Sequence, residues 1–154
     1  MARFEIAEDD PRAEDVRMLL GRHMSFARAT TQPEDVFALE VDELVDPAVT
    51  FFSLRADDTV LGVGALKRLD GSHAEVKSMH TAQEARGRGV GRALVDHLIG
   101  VARERGYRRV SLETGSGPAF EPARRLYASA GFEPCGAFGD YRPSPNSAYM
   151  TLEL

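Results

Sequence analysis

The chain has 154 residues, 43% of them hydrophobic and 28% charged, and this composition is typical of a folded globular protein. Its formal net charge of −5 argues against a nucleic-acid backbone as the main partner, because such binding depends on excess Lys and Arg. With one cysteine, no leader-like N-terminus and no apolar run of membrane-spanning length, we expect a single domain over residues 1–154, cytoplasmic and without a membrane partner.

The first part of the chain is predicted to contain a strand and two helices. Residues 3–7 form the short strand. A helix is expected to begin at Asp10-Pro11, with an apolar face made of Val16, Leu19, Leu20 and Met24. A second helix is expected after Pro33, with an apolar face made of Phe37, Val41 and Leu44.

The middle of the chain is predicted to contain three strands and a helix. Residues 50–69 have the form of a β-hairpin with its turn at 56–58, and residues 73–81 alternate like a further strand. A helix is expected over 90–105, ending at Gly106. Its inward face should consist of Leu94, Leu98, Val101 and Ala102.

The last part is predicted to add a strand at 108–114, a helix at 121–131 and two strands at 132–137 and 148–154. The full order is a strand, two helices, three strands, a helix, a strand, a helix and two strands. This order predicts an α/β domain with a mixed sheet.

A glycine- and arginine-rich segment lies between a predicted strand and a predicted helix. It reads ARGRGVGR from Ala85 to Arg92, in a chain that is acidic elsewhere. The dinucleotide pattern G-x-G-x-x-G would need glycine where Arg92 stands, and no P-loop pattern is present. Glycines let successive backbone N–H groups turn toward one centre, and a helix N-terminus adds further donors. The segment therefore predicts a site for a small anion such as a pyrophosphate.

Two motifs resemble the GCN5-related N-acetyltransferase (GNAT) family. The family's signature [QR]-x-x-G-x-[GA] matches Arg86, Gly89 and Gly91, and RRLYASAGFEP resembles its second motif, L-Y-x-x-x-G-F. The second half of the chain is also similar to a bacterial subgroup of small GNAT enzymes with poorly defined acceptors. The resemblance implies a mostly antiparallel mixed sheet of about seven strands, flanked by about four helices.

The resemblance also implies acetyl-CoA as the donor substrate, with no metal. Its pyrophosphate would lie against the N–H groups of a run that follows Arg86, namely Gly87, Arg88, Gly89, Val90, Gly91 and Arg92. Its pantetheine arm would pair with the strand residues Met79, His80 and Thr81, where the family's neighbouring strands separate. A backbone N–H at the end of that strand would polarise the thioester carbonyl.

Acetyl transfer to an amine needs an acid for the departing thiolate and a base for the amine. The family's position for the acid corresponds to Tyr127; a tyrosine that only packs in the core is the alternative. Histone-acetylating members carry their base at the position of Glu75, although an ion pair with Lys77 would instead make that carboxylate structural. Glu113 is a competing base, and a water chain is the third possibility.

The acceptor site is implied less directly. His23 corresponds to a histidine of the bacterial subgroup, but a surface or core histidine is equally consistent with the sequence. Asp140, Tyr141 and Asn146 lie in a loop that lines the acceptor site in many relatives, although turn chemistry explains the same residues. Many relatives carry an asparagine that contacts pantetheine where this chain has Phe120, so either the cofactor is held differently there or that contact is missing.

The predicted function is acetyl-CoA-dependent N-acetylation of a small amine, such as an amino acid, a polyamine or an amine-bearing toxin, by direct transfer. A protein or peptide acceptor is one alternative. A non-catalytic acyl-CoA-binding sensor is another, and it would keep the glycine-rich segment without needing the acid. Relatives often dimerise through their C-terminal strands, which makes a homodimer possible.

Overall fold

A computed structural model describes residues 4–27 and 41–154, with the backbone alone described for residues 22–27. The strands are β1 (Phe4–Glu8), β2 (Val49–Ala56), β3 (Thr59–Arg68), β4 (His73–Thr81), β5 (Arg109–Gly115), β6 (Glu133–Cys135) and β7 (Ser147–Glu153). The helices are α1 (Glu14–Ala27), α2 (Val90–Glu104) and α3 (Glu121–Ser129), and residues 41–44 are also helical. Single 3₁₀ turns occur at Gln83–Ala85 and Pro118–Phe120.

The strands of the described residues form one seven-stranded sheet in the order β1-β2-β3-β4-β5-β7-β6. Only the central β4–β5 pair is parallel, and the remaining neighbours are antiparallel. The predicted mostly antiparallel α/β architecture is therefore confirmed. The hairpin is also confirmed, with Asp57 and Asp58 at positive φ in its two-residue turn.

Alternate residues of β3 separate the two layers of the core. Leu61, Val63 and Ala65 pack in one cluster with the buried face of α1, which is formed by Val16, Leu19 and Leu20. On the other face, Gly62 and Gly64 allow α2 to approach the sheet closely, because an added Cβ would lie 2.8 Å from Leu94 and 3.2 Å from Leu98 respectively. The sheet is thus covered on both faces, by α1 on one and α2 on the other.

The ends of the helices differ in part from the prediction. α1 begins at Glu14 and not at Asp10, because Asp10 makes a turn in which it accepts hydrogen bonds from the N–H groups of Arg12 and Ala13. Gly106, at φ +81°, ends α2 as predicted: its N–H bonds to the carbonyl of Arg103 in a Schellman motif.

Some predictions concern residues outside the described part of the chain. These are most of the second helix with Phe37, and the side chain of Met24 on the first. Leu44, from the end of that second segment, is described and is buried beside α1. No helix of the described residues is long and apolar enough to span a bilayer.

Candidate active site

The β4–β5 ladder stops partway along both strands. It runs from His73 paired with Arg109 to Val76 paired with Leu112, although both strands continue beyond those residues. β4 also carries one extra residue against β3, and Ser78 in that interval has φ +55°. Such a bulge increases the twist of its strand and turns it away from its neighbour. The result is an opening between β4 and β5, at the position predicted for the pantetheine arm.

The segment that leads into α2 has the geometry of an anion site. Gly87 and Gly89 have φ of +80° and +81°, a left-handed conformation that favours glycine. No atom lies within 4 Å of the position where a Cβ would stand on either residue, so the space above them is open. Gly89 is the N-cap of α2 without a side-chain capping bond, which leaves the first-turn N–H groups available for a ligand. These features fit a bound pyrophosphate.

Gly91 has a different role in the same segment. An added Cβ on it would lie 3.0 Å from Cδ2 of Leu126 and 3.5 Å from Oγ1 of Thr81. The missing side chain therefore lets α2 pack tightly against α3 and the end of β4. Val90, next to it, is buried in the core. Only the backbone of these two residues can face a ligand.

The three arginines of the segment are exposed but are held in different ways. The guanidinium of Arg88 lies 5.7 Å from the ring centroid of Phe4 on β1, within range of a cation–π contact. Arg92 bonds through Nε to Asp96 at 3.0 Å and through Nη1 to Ser129 at 3.2 Å, so its side chain lies along the helices. Arg86 begins the segment after the 3₁₀ turn.

Tyr127 lies on α3 and is buried in the core cluster that α2 and β5 share. Its ring meets that of Phe132 edge to face, with 5.8 Å between centroids. Burial raises the pKa of Tyr127, so the phenol keeps its proton at neutral pH. A protonated phenol is the form that an acid needs. The ring packs in the core, and the acid role of the hydroxyl stays a prediction.

Glu75 is the buried carboxylate on the opposite face of the sheet, with 3% of its surface exposed. The hydroxyl of Tyr141 donates a 2.5 Å hydrogen bond to its Oε2. Burial raises the pKa of Glu75, while this hydrogen bond and the charge of Lys77 lower it by less. Lys77 forms its own ion pair with Glu43, at 3.3 Å. The raised pKa makes Glu75 a stronger base than an ordinary glutamate carboxylate. Lys77 is paired with Glu43 and makes no direct ion pair with Glu75.

Glu113 points to the same face from β5 but is exposed. Ser147 donates a 2.6 Å hydrogen bond to its Oε2. Its environment is solvent and a serine, in contrast to the burial around Glu75. Burial therefore distinguishes Glu75 from Glu113, the other carboxylate proposed as the base.

The last loop, residues 136–146, folds over this face. Its rings form an aromatic group with Tyr149 of β7. Phe138 meets Tyr141 at 5.2 Å and Tyr149 at 5.9 Å edge to face, and Tyr141 and Tyr149 lie 5.7 Å apart in a tilted arrangement. Asp140 is exposed at the loop surface, and the backbone N–H of Asn146 bonds to Oγ of Ser144 within a turn. Tyr141 is thus the predicted loop residue whose side chain contacts a candidate catalytic group.

A buried polar layer lies beside Glu75, and sequence analysis missed it. His73 bonds through Nε2 to Oγ of Ser111 at 2.7 Å, and Ser111 bonds to Oγ1 of Thr151 at 2.8 Å. The charge of Arg109 and, more strongly, burial lower the pKa of His73. A signal was present, because polar residues occupy alternate positions in strands whose other face is apolar. These hydrogen bonds connect β4, β5 and β7 beside Glu75.

The remaining predicted positions give less information. His80 is half-buried near the end of β4, and the backbone of Met79 lies in the opening described above while its side chain packs toward Gly64. The side chain of His23 lies outside the described part of the chain. Within that part, no group of three or more His, Cys, Asp or Glu side chains could hold a metal ion.

The fold and motifs agree with comparisons to known proteins. A model of the acetyltransferase (GNAT) family matches residues 14–132. The chain is 43% identical to an uncharacterized N-acetyltransferase of Bacillus subtilis, YsnE, over 98% of this chain and 100% of the relative. It is 32% identical to an IAA acetyltransferase of Azospirillum brasilense, over the full length of both.

Among solved structures, a Bacillus subtilis acetyltransferase in complex with CoA superposes with a TM-score of 0.73 and 18% identity, covering 100% of this chain and 99% of the other. This likeness concerns the fold.

Proposed function

The chain belongs to the GNAT acetyltransferase family and is an acetyl-CoA-dependent acyltransferase; from that premise, we propose that its acceptor is the primary amine of a small molecule. The observation that carries this proposal is the folding of the last loop onto the Glu75 face, with the hydroxyl of Tyr141 on the carboxylate. A loop in that position narrows access to the base. A peptide acceptor needs an open groove, whereas a small amine does not.

Acetyl-CoA would be held by backbone groups at two places. The N–H groups from Gly87 to Arg92 would bind the pyrophosphate, because they stand at an uncapped helix N-terminus with open space above Gly87 and Gly89. The backbone of Met79–Thr81 would bind the pantetheine arm, because it borders the opening left where the β4–β5 ladder ends. Acetyl-CoA supplies the activated acetyl group, and the chain supplies position and proton transfer.

Glu75 is the proposed base. Its buried carboxylate has a raised pKa, so it is a stronger base than an ordinary glutamate and would take the proton of the acceptor amine, directly or through a water. The hydrogen bond between His73 and Ser111 links β4 to β5 next to Glu75. Tyr127 is the proposed acid, because it stays protonated and lies on the α2 and α3 side of the sheet, opposite Glu75. The two groups then act from opposite faces of the opening.

A thiol-release screen tests this function. Purified protein with acetyl-CoA is offered amino acids, polyamines, other small amines and peptides, and free CoA thiol is measured. We expect release with at least one small amine and none with peptides. Release only with peptides would move the acceptor to the protein class. Binding of CoA without any release would favour the sensor alternative, and a Tyr127→Phe variant would then have no turnover to lose.

A further inference from the structure

The ring of Phe120 stands directly on Gly115 at the end of β5. A Cβ added to Gly115 would lie 2.2 to 2.6 Å from three atoms of that ring, so the ring occupies the place of a side chain. Alternate strand residues share a face, so this is also the face of Glu113, two residues earlier. Ser147, paired opposite Gly115, donates to Glu113 and confirms the common face. The ring is therefore on the side of the proposed base.

Hydrogen bonds hold the loop under the ring. Nη1 of Arg124 donates to the carbonyls of Gly115 at 2.6 Å and Gly117 at 2.9 Å. Ser116 bonds through Oγ to the carbonyl of Pro145 at 2.6 Å, and through its N–H to the last loop again. Because both ends of the loop are tied, the position of the ring is set by the fold.

The ring also lies beside the opening between β4 and β5. Gly115 is three residues beyond Leu112, the last β5 residue paired with β4, and Met79 is three residues beyond its partner Val76. The ring therefore lies beyond the end of the paired segment, on the β5 side of the opening, and Met79 lies on its β4 side. The opening is the proposed location of the thioester, so a ring on its β5 side borders the space that an acceptor would enter.

We propose that Phe120 forms an apolar wall of the acceptor path and selects a primary amine carried on an apolar group over a polyamine. The inference rests on the proposed function and narrows its acceptor class. A phenyl surface gains free energy by covering apolar groups and gains none from a hydrated second ammonium group. The charge of Arg124, bound to Gly115 beneath the ring, also disfavours a second cation there.

The test compares three primary amines as acceptors: 2-phenylethylamine, ethanolamine and 1,4-diaminobutane. Wild type is expected to have its highest kcat/KM with 2-phenylethylamine. Phe120→Ala should lower that value by about tenfold or more, because the apolar contact is lost. Turnover of ethanolamine and the calorimetric Kd for CoA should change by less than about twofold, because neither depends on that contact. Phe120→Leu should recover part of the loss.

Gly115→Ala is a matched positional variant. It keeps the phenyl ring but forces it to move, since the new methyl group would overlap it. We expect the same selective loss for 2-phenylethylamine. Thermal unfolding of each variant confirms that the fold is retained.

Three results would contradict the proposal that Phe120 forms an apolar wall. They are equal losses for both monoamines, a weakened Kd for CoA as the main effect, and a wild-type preference for the diamine. If none of the amines supported release of CoA thiol by the wild type, the proposed function itself would be overturned, and the proposed role of Phe120 with it. An active wild type with an unselective Phe120→Ala variant would overturn the wall alone.

Discussion

Tyr141, from the last loop, donates a 2.5 Å hydrogen bond to the buried carboxylate of Glu75 on the central strand β4. The two residues are 66 positions apart in the chain. The contact joins a surface loop to a central strand of the sheet. It also makes the state of the proposed base depend on the position of the loop.

Glu75→Gln is expected to remove activity and to stabilise the protein. Loss of a base should lower kcat by about 10²- to 10⁴-fold. The folded protein raises the pKa of Glu75, so the carboxylate costs stability above that pKa, and the cost disappears as the pH falls below the unfolded value. The free energy of unfolding of the variant should therefore exceed that of wild type by about 1 kcal/mol at neutral pH, and this difference should shrink in acid. Denaturant titrations over pH 4–8 measure it.

Glu113→Gln is the control for that variant. The residue is exposed and bonded to Ser147, so stability should change by less than about 0.5 kcal/mol. Activity should remain within a few-fold of wild type. The opposite pattern, with Glu113→Gln inactive and Glu75→Gln active, would reverse the assignment of the base.

Tyr141→Phe is expected to shift the pH profile. The Tyr141 hydroxyl favours the charged form of Glu75 and lowers its pKa, so removing the hydroxyl raises that pKa further. The acid limb of kcat/KM should then move to higher pH. Stability should fall by about 1–3 kcal/mol, because a buried carboxylate loses its donor. An unchanged acid limb in a folded variant would mean that Glu75 does not control it.

Tyr127→Phe is expected to separate binding from chemistry. The ring packing against Phe132 is kept, so stability should change by no more than about 1 kcal/mol. The proton of the phenol is lost, and kcat should fall by about 10²-fold or more. Calorimetry should give the wild-type Kd for CoA. Full turnover by this variant would leave the core-packing role as the sole function of Tyr127.

Gly89→Ala is expected to weaken CoA binding through the backbone. The new methyl group meets no atom within 4 Å, but φ of +81° strains an L-residue by about 1–2 kcal/mol. Relief of the strain would turn the N–H groups away from the anion, and Kd should rise by about tenfold. Gly100→Ala, on the same helix with equally open space, should leave Kd unchanged and stabilise α2 by up to about 1 kcal/mol.

His97 on α2 is expected to make stability fall in mild acid. Its Nε2 is buried without a hydrogen-bond partner among the described residues, and its ring meets Phe52 edge to face at 4.9 Å. Burial lowers the pKa of His97, so stability is complete above the unfolded value of about 6.5 and is lost as the pH falls toward the lower folded value.

His97→Leu should make the free energy of unfolding depend less on pH in mild acid. It should not destabilise the protein at neutral pH. Unfolding free energies at pH 5, 6 and 7.5 measure the effect. A wild-type slope in the variant would show that other groups, such as His73, account for it.

Local patterns were sufficient for much of the architecture. The alternation of residues 73–81, the helical spacing of Leu94 and Leu98 and the glycine at position 106 each depend on neighbours within a few residues. The glycine segment before α2 belongs to the same class, because φ and helix capping are local properties. For these features the prediction and the structure agree.

Other features depend on residues that are distant in the chain. The different surroundings of Glu75 and Glu113 come from the burial of Glu75 under a loop whose Tyr141 is 66 residues away in the chain. Both carboxylates lie on strands, and the sequence left Glu113 open as a competitor to Glu75. A pKa is decided by desolvation and by partners, and neither is encoded by local spacing.

The amino-acid sequence by itself therefore determined the order of the elements, the glycine-rich turn before α2 and the family, since these follow from periodicity and short motifs. Tertiary structure alone decided which carboxylate is buried, how Lys77 is paired and where the ring of Phe120 stands. The physical reason is that burial and long-range contacts arise only when the sheet assembles strands and loops that are far apart along the chain.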